Sequence, residues 1–195
     1  MKTLTYAAAL ILAAGLMLTG CSDESSPLVA PDGPFAQSPV SLEKNAARDF
    51  TGVMQPTALI DPGFTKNPDG KVIIRGLMQT IRFDVTFADG GTDLLSGVGI
   101  LELNATADFS SGVGQFWGKL TLTPTAAEVL GGVWELSWHG KGTLGPSGWI
   151  IPLKELGHGS GGALTGMQCF FEHIITAAPD FSGWTGAATG YVKVH

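Results

Sequence analysis

Six side chains in this 195-residue sequence have the chemistry of ligand contacts. Three are tryptophans, whose flat rings stack on sugars or anchor a protein partner when they lie at the surface. The other three are ionisable groups that donate or accept hydrogen bonds. The candidate ligand-binding residues are Trp117, Glu135, His139, Trp149, Glu172 and Trp184.

The positions of the three tryptophans predict that their rings are exposed. Trp117 is out of phase with the apolar residues around it, and Trp149 and Trp184 each follow a glycine in a loop-like stretch. The other two tryptophans, Trp134 and Trp138, share the phase of an apolar face and are expected in the core. The exposed set therefore indicates a glycan or a protein surface as a partner.

Glu135, His139 and Glu172 lie on the polar side of alternating segments. Charges in the middle of a strand usually point to solvent, where they also discourage pairing between sheet edges. The alternative is a polar-lined interior in which these three residues meet a ligand. The sequence leaves both interpretations open.

Other reactive patterns in the sequence are weak. The glycines of residues 157–162 satisfy G-x-G-x-x-G, but no helix and no βαβ alternation surround them, so a dinucleotide site is not expected. The four histidines lack the H-x-H and H-x-x-x-H spacings of metal sites, and G-x-S-x-G does not occur. Cys169 lies in an apolar stretch and is expected to be a buried, unreactive thiol. We therefore expect no cofactor, no metal, and binding rather than catalysis.

Alternation with a period of two dominates the sequence from Phe50 onward and predicts β-strands. Glycine-rich turns separate the alternating segments, and only residues 125–130 have the pattern of a short helical turn. The predicted strands cover residues 51–56, 71–75, 77–87, 99–107, 114–123, 134–139, 149–156, 163–176 and 186–194.

About eight or nine strands with almost no helix predict an all-β domain, either a single antiparallel β-barrel or a two-sheet β-sandwich. The glycines favour the barrel. Gly99, Gly114, Gly118 and Gly140 fall on the apolar faces beside large aromatic residues, and this alternation of small and large suits a narrowing interior. Gly118 is expected to face inward and Lys119 outward.

The last third of the chain resembles the eight-stranded barrels of the allene oxide cyclase and dirigent type. The resemblance rests on the spacing of glycine-rich strands and on the stretch Gly162-Ala163-Leu164-Thr165-Gly166-Met167. It implies a barrel able to hold a small apolar molecule, and it makes a cyclase- or isomerase-type enzyme an alternative.

The start of the sequence has the anatomy of an export signal, with Lys2, an apolar run over residues 7–18, and small residues before Cys21. The run is shorter than the about 20 residues that a membrane-spanning helix needs. The motif Leu18-Thr19-Gly20-Cys21 resembles the lipobox of bacterial lipoproteins, whose cysteine becomes the first mature residue and carries a diacylglyceryl group. The resemblance implies an acyl anchor on Cys21 in a lipid bilayer.

These patterns divide the chain into three segments. Residues 1–20 are the predicted signal peptide, residues 21–49 the lipidated cysteine with a disordered tether, and residues 50–195 the β-barrel domain. Asp23 and Glu24 resemble the acidic signal that sends some bacterial lipoproteins to the cell surface. We expect a lipid-anchored protein of the bacterial cell envelope, in the outer membrane, on its periplasmic or its surface-exposed face.

The charge balance argues against one class of partner. The sequence has 17 acidic and 11 basic side chains, a net charge of −6, and no basic cluster, so nucleic-acid binding is not expected. The function that the sequence favours is a membrane-anchored binding protein for a small apolar molecule. A surface module for carbohydrate or protein and a barrel enzyme are the alternatives.

Overall fold

The computed structural model describes residues 46–126 and 130–194. The predicted signal peptide, Cys21, most of the predicted tether, residues 127–129 and His195 lie outside the described residues. Beside the internal gap, the Leu130 amide donates a hydrogen bond of 2.9 Å to the Ala126 carbonyl, which is the spacing of an α-helical turn. Within the described ranges, no helix has both the length and the apolar character needed to cross a bilayer.

Nine β-strands and one short 3₁₀ helix form the described part of the chain. The strands are β1 (Ala47–Asp61), β2 (Phe64–Lys66), β3 (Lys71–Phe87), β4 (Gly97–Asp108), β5 (Val113–Pro124), β6 (Val133–Gly145), β7 (Gly148–Ser160), β8 (Gln168–Ala177) and β9 (Trp184–Lys193). The 3₁₀ helix spans Gly162–Leu164. The first strand begins slightly before the predicted domain start at Phe50.

All strand pairs are antiparallel, and the sheet closes on itself. Strands β3 to β9 pair in chain order, while β1 pairs with both β3 and β9. Phe50 of β1, for example, lies opposite Phe87 of β3 on one side and Gly190 of β9 on the other. The short β2 pairs only with β3 and adds no strand to the closed ring. The fold is an eight-stranded β-barrel with one additional strand, which confirms the predicted barrel over the sandwich.

The predicted alternation correctly identifies the inward face of the barrel. On β5, Phe116, Leu120 and Leu122 are buried, whereas Lys119 is exposed. Gly118 shares the phase of the buried residues. The inward side chains of the barrel strands pack into a single apolar core.

One end of the interior is filled by aromatic rings. Phe50, Phe83, Phe87 and Phe171 contact one another in pairs, with ring centroids between 5.6 and 6.3 Å apart. Edge-on and offset contacts at these distances are favourable for aromatic rings. This phenylalanine cluster therefore closes the barrel at that end.

Several predicted strand boundaries are wrong: β6, for example, runs to Gly145 and not to residue 139. Two of these errors have a local cause. The strand expected over residues 163–176 begins only at Gln168, because the 3₁₀ helix and a turn at Gly166, whose φ is +83°, precede it. Residues 71–75 and 77–87, predicted as separate strands, belong to the single strand β3. The register of β3 against β4 shifts between Ile74 and Leu77, and such a bulge interrupts the alternation without ending the strand.

Gly118 gives the sharpest test of the face assignment. A Cβ atom at Gly118 would collide with the Glu102 carbonyl oxygen and would lie 2.6 Å from Cζ2 of Trp138. Gly118→Val is therefore expected to overpack the interior and lower the free energy of unfolding by about 1–3 kcal/mol. Lys119→Val, at an exposed position, is expected to change it by less than about 0.5 kcal/mol. Urea melts compare the two variants. A larger loss of unfolding free energy for Lys119→Val would show that Lys119, and not Gly118, faces inward.

Candidate ligand-binding site in the barrel interior

The barrel encloses a cavity of about 50 Å³. Every strand of the closed ring contributes to its lining, and nearly all of the lining side chains are apolar. The exceptions are Gln79, Glu155, His173 and the indole N–H groups of Trp138 and Trp184. A space of this size holds about three or four water molecules, or the end of a small organic molecule.

The lining is ordered along the barrel, with apolar residues near the mouth and ionisable residues deeper. The residues of β7 that line the cavity are Ile151, Leu153 and then Glu155, counted from the strand end beside the β8–β9 loop. The residues of β8 that line it, counted from the same end of the barrel, are Ala177, Ile175 and His173. A ligand entering at this end therefore meets mainly apolar walls before it reaches Glu155 and His173.

Glu155 and His173 form a buried pair at the deep end of the cavity. Nδ1 of His173 lies 3.0 Å from Oε1 of Glu155, and the two side chains are 1% and 3% exposed. Burial of ionisable groups is costly unless each has a partner, so each residue depends on the other.

Three buried polar atoms at this depth have no hydrogen-bond partner within residues 46–126 and 130–194. They are Nε1 of Trp138, Oε2 of Glu155 and Nε2 of His173. Trp138 and Glu155 are direct cross-strand partners, and His173 lies opposite Leu153, the next inward residue of β7. We call Trp138, Glu155 and His173 the polar cluster. An unpaired buried polar atom costs about 1–3 kcal/mol, so three such atoms on residues that line one cavity indicate partners outside the protein, either ordered water or a ligand.

The loop between β8 and β9 covers the mouth of the cavity. Phe181 in this loop has φ of +59°, a left-handed conformation that is strained for an aromatic residue. Its ring stacks on Trp149 with centroids 5.5 Å apart and planes 18° from parallel. Nε1 of Trp184 donates a hydrogen bond of 3.0 Å to Oε1 of Gln79, which links β9 to β3 across the mouth.

A second, more open space lies outside this loop. It is a depression of about 580 Å³ with walls from β1, β2, β3 and the β8–β9 loop. Ile74, Leu77 and Phe181 line both the depression and the inner cavity. These three side chains therefore lie between the two spaces.

Of the predicted tryptophan contacts, only Trp184 lines the cavity, and it is half-buried. Trp149 is fully buried, and its Nε1 donates a hydrogen bond of 3.3 Å to the Pro179 carbonyl. The prediction that Trp149 is exposed is wrong, because Gly148 already begins β7 and the tryptophan packs inside the barrel. Trp117 lies on the outer face, 37% exposed, with the Arg75 guanidinium 4.8 Å from its ring centroid.

The hypothesis that Glu135, His139 and Glu172 line a polar interior is wrong. All three are exposed on the outer face, because their strands turn the opposite, apolar face inward. Oε2 of Glu135 lies 3.0 Å from Nε2 of His158, and Oε1 of Glu172 lies 3.8 Å from Nζ of Lys154. Any role of these residues in binding belongs to the outer surface.

His139 and Glu172 do share a space on that outer surface. They line a groove of about 530 Å³ that also contains Phe170 and Tyr191. The rings of these two residues stack with centroids 5.3 Å apart. A glycan site, one of the alternatives from the sequence, would be located in this groove and not in the interior.

Sequence reasoning missed Glu155 and His173. The sequence did contain an indication of their position, because each is an ionisable residue that alternates in step with the buried apolar residues of its strand. Glu155 shares its phase with Leu153, and His173 shares its phase with Phe171 and Ile175. The alternation of buried and exposed residues along each whole strand, rather than the charge of single residues, would have predicted that both side chains lie inside the barrel.

Cys169 lies one inward position before Phe171 on β8 and is fully buried. Burial, and secondarily the nearby Glu155 carboxyl, raise the pKa of its thiol well above the usual range. The thiol therefore stays protonated at neutral pH and is a poor nucleophile.

Two further findings bear on the class of site. In the described part of the chain, no group of three His, Cys, Asp or Glu side chains is arranged to hold a metal ion. Comparison with protein-family models, curated proteins and solved structures gave no match.

The buried pair can be tested by a double-mutant cycle. Glu155→Leu or His173→Leu alone leaves a buried polar group without its partner and is expected to lower the free energy of unfolding by at least about 2 kcal/mol. The variant with both substitutions replaces the pair by apolar side chains and is expected to lose less than the sum of the single losses.

Glu172→Leu, at the exposed neighbour of His173, is the control and is expected to change the free energy by less than about 0.5 kcal/mol. Chemical denaturation measures all four variants. Strict additivity of the Glu155 and His173 substitutions would show that the two side chains are not coupled.

Proposed function

We propose that this protein is a membrane-anchored lipoprotein whose β-barrel domain binds a small apolar molecule in its interior. The observation that carries the binding proposal is a cavity with apolar walls that end at three buried polar atoms. Apolar walls with a few converging polar groups are the usual composition of a small-molecule site. Affinity would come mainly from apolar surface removed from water, at about 25 cal/mol per Å².

The way into the cavity supports binding over a simple packing defect. Ile74, Leu77 and Phe181 are common to the inner cavity and the outer depression. A ligand entering beside Phe181 meets mainly apolar side chains before it reaches the polar cluster. When Phe181 moves aside, the narrow inner space would join the wider outer one, and this outline favours an elongated molecule over a bulky one.

The anchoring proposal rests on Leu18-Thr19-Gly20-Cys21 and on the apolar run before it. Two acyl chains hold a protein stably on a bilayer, whereas a single chain gives only reversible binding. We place the protein in the bacterial cell envelope, on the outer membrane. The proposed partners are the bilayer, through Cys21, and an apolar ligand in the barrel.

A matched pair of cavity variants tests binding in the interior. n-Hexane added to the Cys21→Ser chain is expected to change tryptophan fluorescence, because Trp138 and Trp184 line the cavity. Leu153→Phe fills the cavity from the inner face of β7 and is expected to abolish this change. Leu156→Phe, at a position 51% exposed on the outer face of β7, is expected to preserve it. Equal responses from the two phenylalanine variants would rule out an interior site.

Lipid attachment is tested separately from the barrel. Cys21→Ser is expected to abolish incorporation of labelled palmitate and membrane retention in a bacterium that processes lipoproteins. Cys169→Ala, which removes the buried cysteine, is expected to keep both. Undiminished labelling of the Cys21→Ser chain would disprove the anchor and leave the binding proposal unaffected.

An enzyme of the cyclase or isomerase type is the second candidate. One observation favours it, since Glu155 and His173 place ionisable groups inside an apolar cavity. A positioned carboxyl–imidazole pair in a water-excluded site has the chemistry of proton transfer. Recovery of the bound molecule unchanged after long incubation supports binding, and its conversion to an isomer supports the enzyme.

A further inference from the structure

The groove on the outer face of the barrel has the size of a small-molecule site. It crosses β6, β7, β8 and β9, and neighbouring strands lie about 4.8 Å apart, so the groove is about 14 Å long. Its volume of about 530 Å³ falls within the range of about 300–1,000 Å³ that is typical of ligand pockets. The groove can therefore hold a molecule with the length of a short oligosaccharide.

One wall of the groove is apolar and largely aromatic. Leu156 of β7, Phe170 of β8 and Tyr191 of β9 are direct cross-strand neighbours, and we call them the apolar row. The rings of Phe170 and Tyr191 stack with their planes 27° from parallel, and Tyr191 is 38% exposed. Partly exposed rings that are held in place by each other offer a rigid apolar surface to a ligand.

The other wall is polar and lies two residues away along each strand. Its members are exposed and are again direct cross-strand neighbours. We call them the polar row, which consists of His139, Lys154, Glu172 and Thr189. Nζ of Lys154 lies 3.8 Å from Oε1 of Glu172. A ligand can replace this contact at little cost, because exposed ion pairs contribute little to stability.

The charges of the groove balance. Among the described residues that line it, Lys154 and Glu172 are the outward-facing side chains with a permanent charge at neutral pH, and they have opposite signs. Lys154 supplies hydrogen-bond donors and Glu172 supplies acceptors, while the hydroxyl groups of Ser137 and Thr189 can do both. This composition suits a ligand that is neutral and rich in hydroxyl groups.

We propose that this groove binds a neutral glycan of hexopyranose rings. A sugar ring with equatorial hydroxyl groups has a flat face of C–H groups and a rim of donors and acceptors. The flat face packs on the apolar row, and the hydroxyl groups exchange hydrogen bonds with the polar row. A protein partner fits less well, because a stable interface takes about 800 Å² from each partner, and here a short apolar row borders charged residues.

The glycan site is separate from the site in the barrel interior. The side chains of the apolar row and the polar row point away from the inner cavity. Leu153→Phe, which fills the cavity, is therefore expected to leave glycan binding unchanged. This proposal and the proposed function can accordingly fail independently of each other.

Cellotetraose tests the apolar row, because its rings carry equatorial hydroxyl groups and no charge. It is titrated into the Cys21→Ser chain by calorimetry. Tyr191→Ala removes the exposed ring of the groove and is expected to weaken binding at least about tenfold. Phe64→Ala removes another exposed ring, from β2 and outside the groove, and is expected to leave the affinity unchanged.

Glu172→Ala tests the polar row and decides the question if Tyr191→Ala does not fold, because the Glu172 side chain is 74% exposed. It is expected to weaken cellotetraose binding several-fold, since the sugar hydroxyl groups lose an acceptor. Asp84→Ala removes a similarly exposed carboxylate from β3 and is expected to have no effect. Tetragalacturonate, which has a carboxylate on each ring, is expected to bind more weakly than cellotetraose because the charges of the groove already balance.

Three results would overturn the proposal. The first is absence of cellotetraose binding, or tighter binding of tetragalacturonate. The second is equal affinity of the folded Tyr191→Ala and Glu172→Ala variants and the parent chain for cellotetraose, which would locate the glycan elsewhere. The third is self-association of the chain that Tyr191→Ala abolishes and cellotetraose does not affect, which would assign the groove to a protein contact.

Discussion

The interior of this protein exists because β1 is hydrogen-bonded on both of its sides. Its residues 50–54 pair with β3 and β9 together, which closes the sheet into a ring without a free edge. Arg48 reinforces the closure, since its guanidinium binds both carboxylate oxygens of Asp89 in the loop after β3. This contact holds the pKa of the Asp89 carboxyl well below its usual range. Without the closed ring, Glu155 and His173 would face water, where such a pair contributes little.

Closure also crowds the interior, and two glycines make room for the rings of the polar cluster. The indole of Trp138 packs against Gly118 of β5, and the imidazole of His173 packs against Gly186 of β9. In both places a Cβ atom would overlap the ring, so only glycine permits the approach. The phenylalanine cluster fills one end of the barrel, and the cavity is confined to the other. The same packing that stabilises the barrel therefore positions the polar cluster.

The barrel and its inward face were predictable from sequence because both follow from local alternation. Phe116, Leu120 and Leu122 share one phase, and neighbouring strands repeat it. The site was not predictable in the same way. Alternation indicates that a residue faces inward, but the register between strands decides which inward residues meet. Glu155 and His173 are 18 positions apart and come together only through the pairing of β7 with β8.

Local sequence context also led to a wrong prediction at the start of a strand. A glycine before Trp149 has the pattern of a loop, yet it is the first residue of β7, and the strand carries the indole into the core. The predicted ionisable contacts were residues on the polar face of the strands, whose exposure to solvent is sufficient to explain them. The informative ionisable residues lie on the apolar, inward face, where their burial needs a reason. Cys21 lies outside the described residues, so the lipid anchor on it stays a prediction from the lipobox motif.

The most direct test of the central claim is a high-resolution crystal structure of the protein isolated from its own cells, with no ligand added. The account predicts density for a non-protein molecule inside the barrel, which lies against the apolar side chains of Ile151, Leu153 and Ile175 and extends toward Phe181. Water molecules alone in the cavity, or side chains that close it, would contradict the account.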